Sequence, residues 1–452
     1  MDPDPHHRGI ITRERAFTKM KLSFKVLAVL SLMVLYGCAG GVKYDILGNY
    51  VRQDKCLEAS RYVEEKQKEY GPNRQLLYNL DSGMINMECG YYEKSNNSFH
   101  AAEDLAEKLW TKSILKEAAS FLLNDYTIPY AGEDYERALI NLFSAINYAM
   151  LSEFDEALVE CRRLDANLSV FNEKYDEKNV YKEDAFGRYL SGIIYESVGS
   201  IDDAFIDYYK AFETYRDYES YYGTETPSIL IEDLIRVALL TGRSGEVDQL
   251  LEEFGINKFN KDDLPRNMGK IVFIHLNGRS PVKTDNKIIV PSPRGPITIA
   301  FPRLIVTDPA CKESEVVVIS ESGKISVDAE LVEDINKIAV KNLDDRKGRL
   351  VVKEIARVIA KQGAIDIATG QIEDEGAREM TRFLLNIVNT AIETADTRSW
   401  RTLPGEIYMT RIFLPEGWYK VQARACGRRK DIVSSIEIKA GQTKFLLHDT
   451  MY

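Results

Sequence analysis

The chain has 452 residues, of which 44% are hydrophobic and 29% are charged, so it can bury substantial cores in two or three domains. The net charge of −11 is divided unevenly, with −19 in residues 39–263 and +5 in residues 264–452, and this asymmetry predicts two separate units. The acidic half argues against nucleic-acid binding, because phosphate contacts need clustered cations. We interpret its charge as a solvated acidic surface; complementary packing of the two halves is the alternative.

A lipoprotein signal peptide is predicted for residues 20–37. Lys21 and Lys25 precede the apolar run 26–34, and the small residue Gly37 stands directly before Cys38. The run is too short for a permanent membrane span, which needs about 20 apolar residues. The pattern predicts cleavage before Cys38 and acylation of its side chain. The alternative is a buried helix that happens to end in Gly-Cys.

The residues around this signal refine the expected cellular location. Residues 1–19 fit no part of a signal peptide, so we interpret them as a non-native or mis-started extension. Ala39 follows the cysteine where an Asp commonly retains Gram-negative lipoproteins at the inner membrane. The expected location is therefore the outer membrane, with the lipid-anchored chain on the periplasmic side.

Five cysteines remain in the mature chain once Cys38 is set aside, and no two lie close in sequence. An odd number without close pairs argues against a dense disulfide framework. A bridge between Cys56 and Cys89 stays open, but we expect buried free thiols.

Residues 38–263 are predicted to form an α-helical array of tetratricopeptide-like (TPR-like) repeats. The clearest unit has a small residue, an aromatic, a turn glycine and a second helix with small and aromatic residues at set spacings. Helices approach closely where side chains are small, and aromatics fill the spaces between turns. The expected repeat-core residues are Gly83, Gly90, Ala157, Gly192, Tyr195, Gly199, Ala204, Tyr208 and Ala211.

Tyrosines are dense between residues 175 and 222. Tyrosine offers a large contact area with a polar tip, so Tyr208, Tyr215, Tyr221 and Tyr222 are candidate recognition residues. The alternative, which we favour, is that they fill the repeat core or brace the following loop.

Residues 264–452 are predicted to form an antiparallel β-sandwich-like domain with helices inserted at about residues 328–395. Lys270 to Leu276 alternates as a strand does, and Asn277-Gly278 predicts a hairpin turn. Short strands separated by turns continue to the C-terminus. Helices are expected over Asp328–Gln362 and Gly376–Thr394, with apolar faces more often directed at a core than at lipid.

A polar and aromatic segment joins the second of these helices to the last strands. Asp396, Arg398, Trp400 and Arg401 are candidate recognition residues, since arginine binds carboxylate or phosphate and tryptophan stacks on a sugar face. The alternative, which we favour, is a structural lock in which Asp396 pairs with Arg398 and Trp400 closes the end of the sheet.

The sequence Asp-Thr-Arg-Ser-Trp at 396–400, followed by Leu-Pro and an acidic residue, and the Leu-Pro-x-Gly-x-Tyr strand entry at 414–419 resemble an uncharacterised family of TPR-containing outer-membrane lipoproteins of Gram-negative bacteria. Segments 77–83 and 275–283 also fit. Members are often encoded near lipoproteins resembling activators of penicillin-binding proteins, which implies an envelope role. The resemblance supplies no catalytic residues.

No enzyme chemistry is predicted. The mature chain has three histidines and no His-Glu-x-x-His, Gly-x-Ser-x-Gly, phosphate-loop or dinucleotide motif, so we expect no metal and no cofactor. We expect a non-catalytic scaffold whose array binds an unknown periplasmic or envelope protein, in cell-envelope or peptidoglycan-synthesis regulation. The alternatives are a cell-wall glycan- or peptide-binding lipoprotein with or without hydrolytic activity, and a secretion or assembly accessory protein.

Overall fold

A computed structural model describes residues 42–116, 125–174, 181–256, 264–265, 267–292, 295–308 and 311–451. The predicted extension 1–19, the signal peptide 20–37 and the lipidation site Cys38 lie outside the described residues. Most of the helical array and of the strand-rich half can therefore be compared with the sequence-based expectations.

The first half of the described chain is helical. Its helices begin where local caps allow: the side chain of Asp184 accepts a hydrogen bond from the backbone of Gly187, and Glu133 forms a capping box with Glu136. The ten main helices are α1 Tyr44–Arg52, α2 Cys56–Glu65, α3 Gln75–Glu88, α4 Tyr92–Lys116, α5 Asp134–Leu151, α6 Phe154–Lys174, α7 Ala185–Ser197, α8 Ile201–Tyr222, α9 Ser228–Leu240 and α10 Ser244–Glu253.

Successive helices pack as antiparallel pairs because glycine in one helix receives an aromatic ring of the next. A Cβ on Gly83 would lie 2.2 Å from the ring of Phe99, and one on Gly192 would lie 2.4 Å from the ring of Tyr208. The predicted core residues Ala157, Ala204 and Ala211 are also fully buried, whereas Tyr195 is half-buried. Gly90 and Gly199 occupy the turns with positive φ, where glycine is unstrained.

The second half consists of strands with one helical insertion. The strands are β1 Gly269–Arg279, β2 Val282–Val290, β3 Ile297–Ile305, β4 Ser314–Ser320, β5 Gly323–Asp328, β6 Glu330–Asp334, β7 Pro404–Leu414, β8 Gly417–Ala425, β9 Arg428–Ile438 and β10 Thr443–Thr450. The inserted helices are α11 Ile335–Thr369 and α12 Glu375–Ile392.

Two four-stranded sheets, ordered β10-β1-β7-β6 and β5-β4-β8-β9, share one core, and β2 and β3 form a separate hairpin. Side chains from both sheets meet there, among them Phe273 of β1 and Val421 of β8. The expectation of a purely antiparallel arrangement is wrong for one pair, because β1 and β10 run parallel in the register Phe273↔Leu446. The mixed helix-and-sheet class is confirmed.

Two local predictions are wrong. Asn277-Gly278 is not a hairpin turn: β1 continues to Arg279, and the amide of Asn277 bonds Cys311 and Glu406 across neighbouring segments. The first inserted helix does not begin at Asp328, because residues 330–334 form β6 against β7 and Asp334 then caps α11.

The cysteines differ from the expectation of free thiols. Cys56 is bridged to Cys89, which ties α2 to the end of α3, and Cys311 is bridged to Cys426, whose Cα atoms are 4.7 Å apart. Cys161 is buried and free. The second bridge was missed because strand pairing, not sequence spacing, brings its cysteines together: Ser314 of β4 pairs with Ala425 of β8.

Candidate functional site

The extended segment 395–403 lies buried between the helical array and the sheet. The ring of Trp400 is fully buried, and its centroid lies 5.9 Å from those of Phe99 and Phe143. The backbone N–H of Trp400 donates to Glu136 Oε1 at 2.7 Å, and its indole N–H donates to Thr402 at 3.0 Å. Trp400 is therefore a packing residue of the junction, and the prediction that it presents a face to a sugar is wrong.

Arg398 also holds the junction between the helical array and the sheet together. Its guanidinium forms two bonds to Asp396, of 2.8 and 2.7 Å, and donates to the backbone carbonyls of Asn73 and Ile128. Arg401 lies over the ring of Tyr44 at 4.4 Å. Because these cations already hold helical segments to the strand-rich half, they form an internal lock, the alternative that we favoured over a recognition role.

A buried carboxylate continues this lock. Asp81 of α3 accepts hydrogen bonds from the hydroxyls of Tyr44, Tyr70 and Thr402 at 2.7–2.8 Å. Burial raises the pKa of Asp81 to about 6, although the three donors act in the opposite direction. The site joins α1, α3 and the segment before β7 through one side chain.

A cluster of five charged side chains fills the contact between α7, α9 and the strands β1 and β7. Glu196 accepts from Arg236, Arg411 and Lys270 at 2.6–3.0 Å, and Asp233 pairs with both arginines. Burial alone would raise the pKa of Glu196, but the three cations hold it well below the usual range. The charged groups pair with one another, and the hydroxyls of Tyr189 and Tyr208 add further bonds, so the cluster holds the junction together.

The four candidate tyrosines have different surroundings. Tyr208 and Tyr215 are fully buried, with hydroxyls bonded to Glu196 and to the carbonyl of Val332, so their predicted recognition role is wrong. Tyr222 is 7% exposed and Tyr221 is 48% exposed. These last two lie together at the end of α8, where they line an open cleft.

The cleft has a volume of about 380 Å³ and lies where α8 ends beside the segment after β3 and the start of α11. Val306 and Val340 complete its apolar wall with the two tyrosines. Its polar lining consists of Thr307, Asp308, Asp334, Asn336, Lys337, Lys341, Asp344 and Glu406.

Two polar atoms in the wall have no hydrogen-bond partner among the described residues. They are the hydroxyl of Tyr222 and the amide oxygen of Asn336, and both residues are 7% exposed. Both atoms are themselves buried, so they lie behind the surface of the cleft and not on it.

The charge of the cleft is predominantly negative. Lys337 is paired with Asp334 at 3.1 Å, and Lys341 is paired with Asp345 outside the lining at 2.9 Å. Asp344 lies 4.0 Å from Lys347, so carboxyls still outnumber lysines among the side chains that line the cleft. Burial raises the pKa of Glu406, which accepts bonds from Asn277 and Tyr408.

Of the cleft residues, the sequence indicated only Tyr221 and Tyr222. Asp334 and Asn336 were missed because a helix was expected from Asp328, whereas Asp308 and Glu406 lie far from them in sequence. Reading Asp334 as an N-cap would have placed Asn336 and Lys337 in the first turn of a helix.

Within the described ranges, no helix is long and apolar enough to span a bilayer, and no three His, Cys, Asp or Glu side chains are grouped as metal ligands. No model of a known protein family matches this chain, and no curated protein matches it. The inference of function therefore depends on the cleft and on the junction between helices and strands.

Proposed function

We propose that this protein is a non-catalytic, lipid-anchored scaffold of the outer membrane, on the periplasmic side, and that it binds a partner protein in the cleft beside Tyr221. The partner inserts a cationic side chain between the tyrosines and the carboxylates. The observation that carries this proposal is the cleft itself: an aromatic wall beside a polar lining in which carboxyls outnumber lysines.

The chemistry of the cleft suits a lysine or arginine of a peptide. Such a side chain has an apolar stem, which packs against Tyr221 and Val306, and a charged head, which is attracted by Asp308 and Asp344. A cation near an aromatic ring gains about 0.5–1 kcal/mol at an exposed site. Anionic ligands are disfavoured by the same carboxyls.

The inner side of the array is not proposed as the binding surface, because the chain itself covers it. Trp400, Arg398 and the cluster around Glu196 occupy the positions at which an open helical array would receive a peptide. A partner is left with surfaces outside this junction.

The proposed location depends on the predicted signal peptide and on lipidation of Cys38. The proposal of TPR-like repeats depends on the spacing of small and aromatic residues. The close approach of Gly83 to Phe99 and of Gly192 to Tyr208 supports TPR-like packing. The resemblance to envelope lipoproteins supports a role in cell-envelope or peptidoglycan-synthesis regulation.

Photo-crosslinking in intact cells tests the proposal. A photoreactive residue replaces Tyr221 in the full-length chain, and in a control it replaces Tyr209, which is 39% exposed on the same helix. We expect one specific envelope protein to be captured at position 221 and not at 209. Capture of the same protein at both positions, or of no protein at 221, would contradict the proposal.

The charge of the cleft provides a second test. The double variant Asp308→Asn/Asp344→Asn is expected to lose at least tenfold in capture at position 221, because it removes two of the four carboxyls that line the cleft. The variant Asp203→Asn, an exposed position near the start of α8, is the matched control. Unchanged capture in the double variant would rule out a cationic ligand.

If the protein binds the cell wall, the cleft suits a peptide ligand better than a glycan. Its sugar-stacking residue, Trp400, is buried, whereas an amine-bearing cell-wall peptide has the positive charge that the cleft attracts. Co-sedimentation of the mature chain with peptidoglycan, weakened by Asp308→Asn/Asp344→Asn, would support this function instead of protein binding.

A further inference from the structure

The helical hairpin formed by α11 and α12 has its polar side chains inside and its apolar side chains outside. Between the helices, Gln362 donates to Asn386 at 2.7 Å and Arg382 donates to Thr369 at 3.1 Å. Glu393, just beyond α12, pairs with Arg357 at 3.7 Å and with Lys361. In a helical pair that is stable alone in water, apolar residues normally occupy these inner positions.

The outer faces of the same helices are apolar and open. On α11, Val352 is 68% exposed and Ile367 is 81% exposed, with Ile355 and Ile359 between them. On α12, the exposed apolar residues are Met380, Phe383, Leu384, Leu385 and Ile387. The sequence-based expectation that these faces pack against a core is therefore wrong for this chain by itself.

Helix geometry shows that the two outer faces point in opposite directions. On α11 the apolar residues 352, 355 and 359 each precede a buried polar residue, 354, 357 or 361, by two positions. At 100° per residue, two positions place them about 200° apart, on the opposite side of the helix. On α12 the same offset separates 380 and 384 from 382 and 386. Each apolar stripe thus faces away from the other helix.

The exposed apolar area of each face has the size at which a surface patch commonly marks a binding site. At about 150–200 Å² for a large side chain that is fully accessible, each outer face offers roughly 400–500 Å² of apolar surface. Monomeric proteins rarely expose contiguous apolar patches above a few hundred Å². Two such faces in contact would bury about 900 Å², which is close to the apolar share of a standard protein interface.

We propose that a second copy of this chain covers these faces, with the outer face of α11 in one copy packed on the outer face of α12 in the next. One two-fold contact cannot bury two faces that point apart, whereas a head-to-tail contact buries both and closes into a ring or continues as a filament. Ala356 and Ala360 follow Ile355 and Ile359 on α11, and their small side chains leave room for Phe383 and Leu384 of the neighbouring copy.

A bilayer is the less suitable cover. The start of α12 carries the exposed acidic residues Glu373, Asp374, Glu375 and Glu379, which anionic headgroups repel. No such penalty applies to the contact between copies, because these residues lie at the end of the apolar stripe and remain in water.

Cysteine trapping tests whether the contact joins unlike faces, α11 of one copy with α12 of the next. Two pools of the mature chain are prepared, one with Ile359→Cys and one with Leu384→Cys, and they are mixed under mild oxidation. We expect a mixed dimer, with homodimers of either variant at least tenfold less abundant. Equal formation of the Ile359→Cys homodimer, or of no dimer at all, would overturn the head-to-tail contact.

Sedimentation velocity and vesicle flotation provide the second measurement. The mature chain with Cys38→Ser, which removes the lipid, should sediment as an oligomer that Ile359→Asp converts to a monomer. The control Val198→Asp, at an exposed apolar position of the array, should leave the oligomer unchanged. A monomer that floats with phosphatidylglycerol-containing vesicles would show that lipid covers the hairpin and would overturn the proposal. This contact is independent of the proposed cleft.

Discussion

At the scale of single residues, groups of the strand-rich half bind to buried carboxylates of the helical half. Asp81 accepts Thr402, Glu136 accepts the backbone of Trp400, and Glu196 binds Arg411 and Lys270. Removing one partner of such a buried pair commonly costs about 3–5 kcal/mol, because the other charge is left unpaired. These contacts explain why acidic residues of the array are buried rather than solvated.

Asp81 should make stability depend on pH. Its pKa is about 6 in the folded chain, against about 3.9 when unfolded, so the folded state binds more protons between these values. The contribution of Asp81 to the free energy of unfolding should therefore decrease as the pH rises from 4 to 6. Asp81→Asn lacks this proton, so its stability relative to the wild type should rise by about 2–3 kcal/mol over that range.

Urea unfolding of both proteins at several pH values measures this difference. Asp45→Asn, at an exposed position of α1, serves as the control for the Asp-to-Asn exchange. A difference between Asp81→Asn and the wild type that is independent of pH would contradict the role assigned to Asp81.

At the scale of elements, the helix pairs depend on glycines at which no Cβ fits. Gly192→Ala would place a Cβ 2.4 Å from the buried ring of Tyr208, so we expect a loss of about 1–3 kcal/mol. In Gly348→Ala the new Cβ meets nothing within 4 Å, and a gain of up to about 1 kcal/mol is expected. Urea unfolding should give opposite signs for the two variants; equal effects would contradict the close packing of α7 and α8.

These elements also show how far sequence reasoning extends. The spacing from Gly192 to Tyr208 predicted a contact that the structure contains, because small and aromatic residues must alternate where helices approach. The strand β1 was predicted from the alternation of Lys270 to Leu276, and the structure has a strand there. The outward direction of the apolar face of α12 was not predicted, since periodicity locates an apolar stripe but does not say what covers it.

The cleft was only half predicted for a related reason. Tyr221 and Tyr222 were identified from composition, whereas Asp308, Asn336 and Glu406 come together through pairing between β6 and β7 and through the start of α11. Contacts over such long sequence distances leave no local pattern. Trp400 shows the converse, because a residue type typical of recognition is used in the interior.

At the scale of the whole molecule, residues 44–452 form one compact unit. The acidic and basic halves are complementary where they meet: Glu196 pairs with Lys270, Glu133 with Lys283 and Asp54 with Lys430. The uneven charge seen in the sequence therefore includes complementary packing, the alternative that we had not favoured. The cleft and the hairpin therefore belong to the same compact unit.

Native-state hydrogen exchange in urea tests most directly whether the helical array and the strand-rich half form one unit. If the strand-rich half permanently fills the inner side of the array, amides of α7 and β7 should open with the same free energy and the same dependence on urea. Glu196→Gln should lower both values equally. Exchange of β7 and of residues 395–403 through an opening that leaves α7 protected would contradict the account, because the array would then be free to bind a peptide on its inner side.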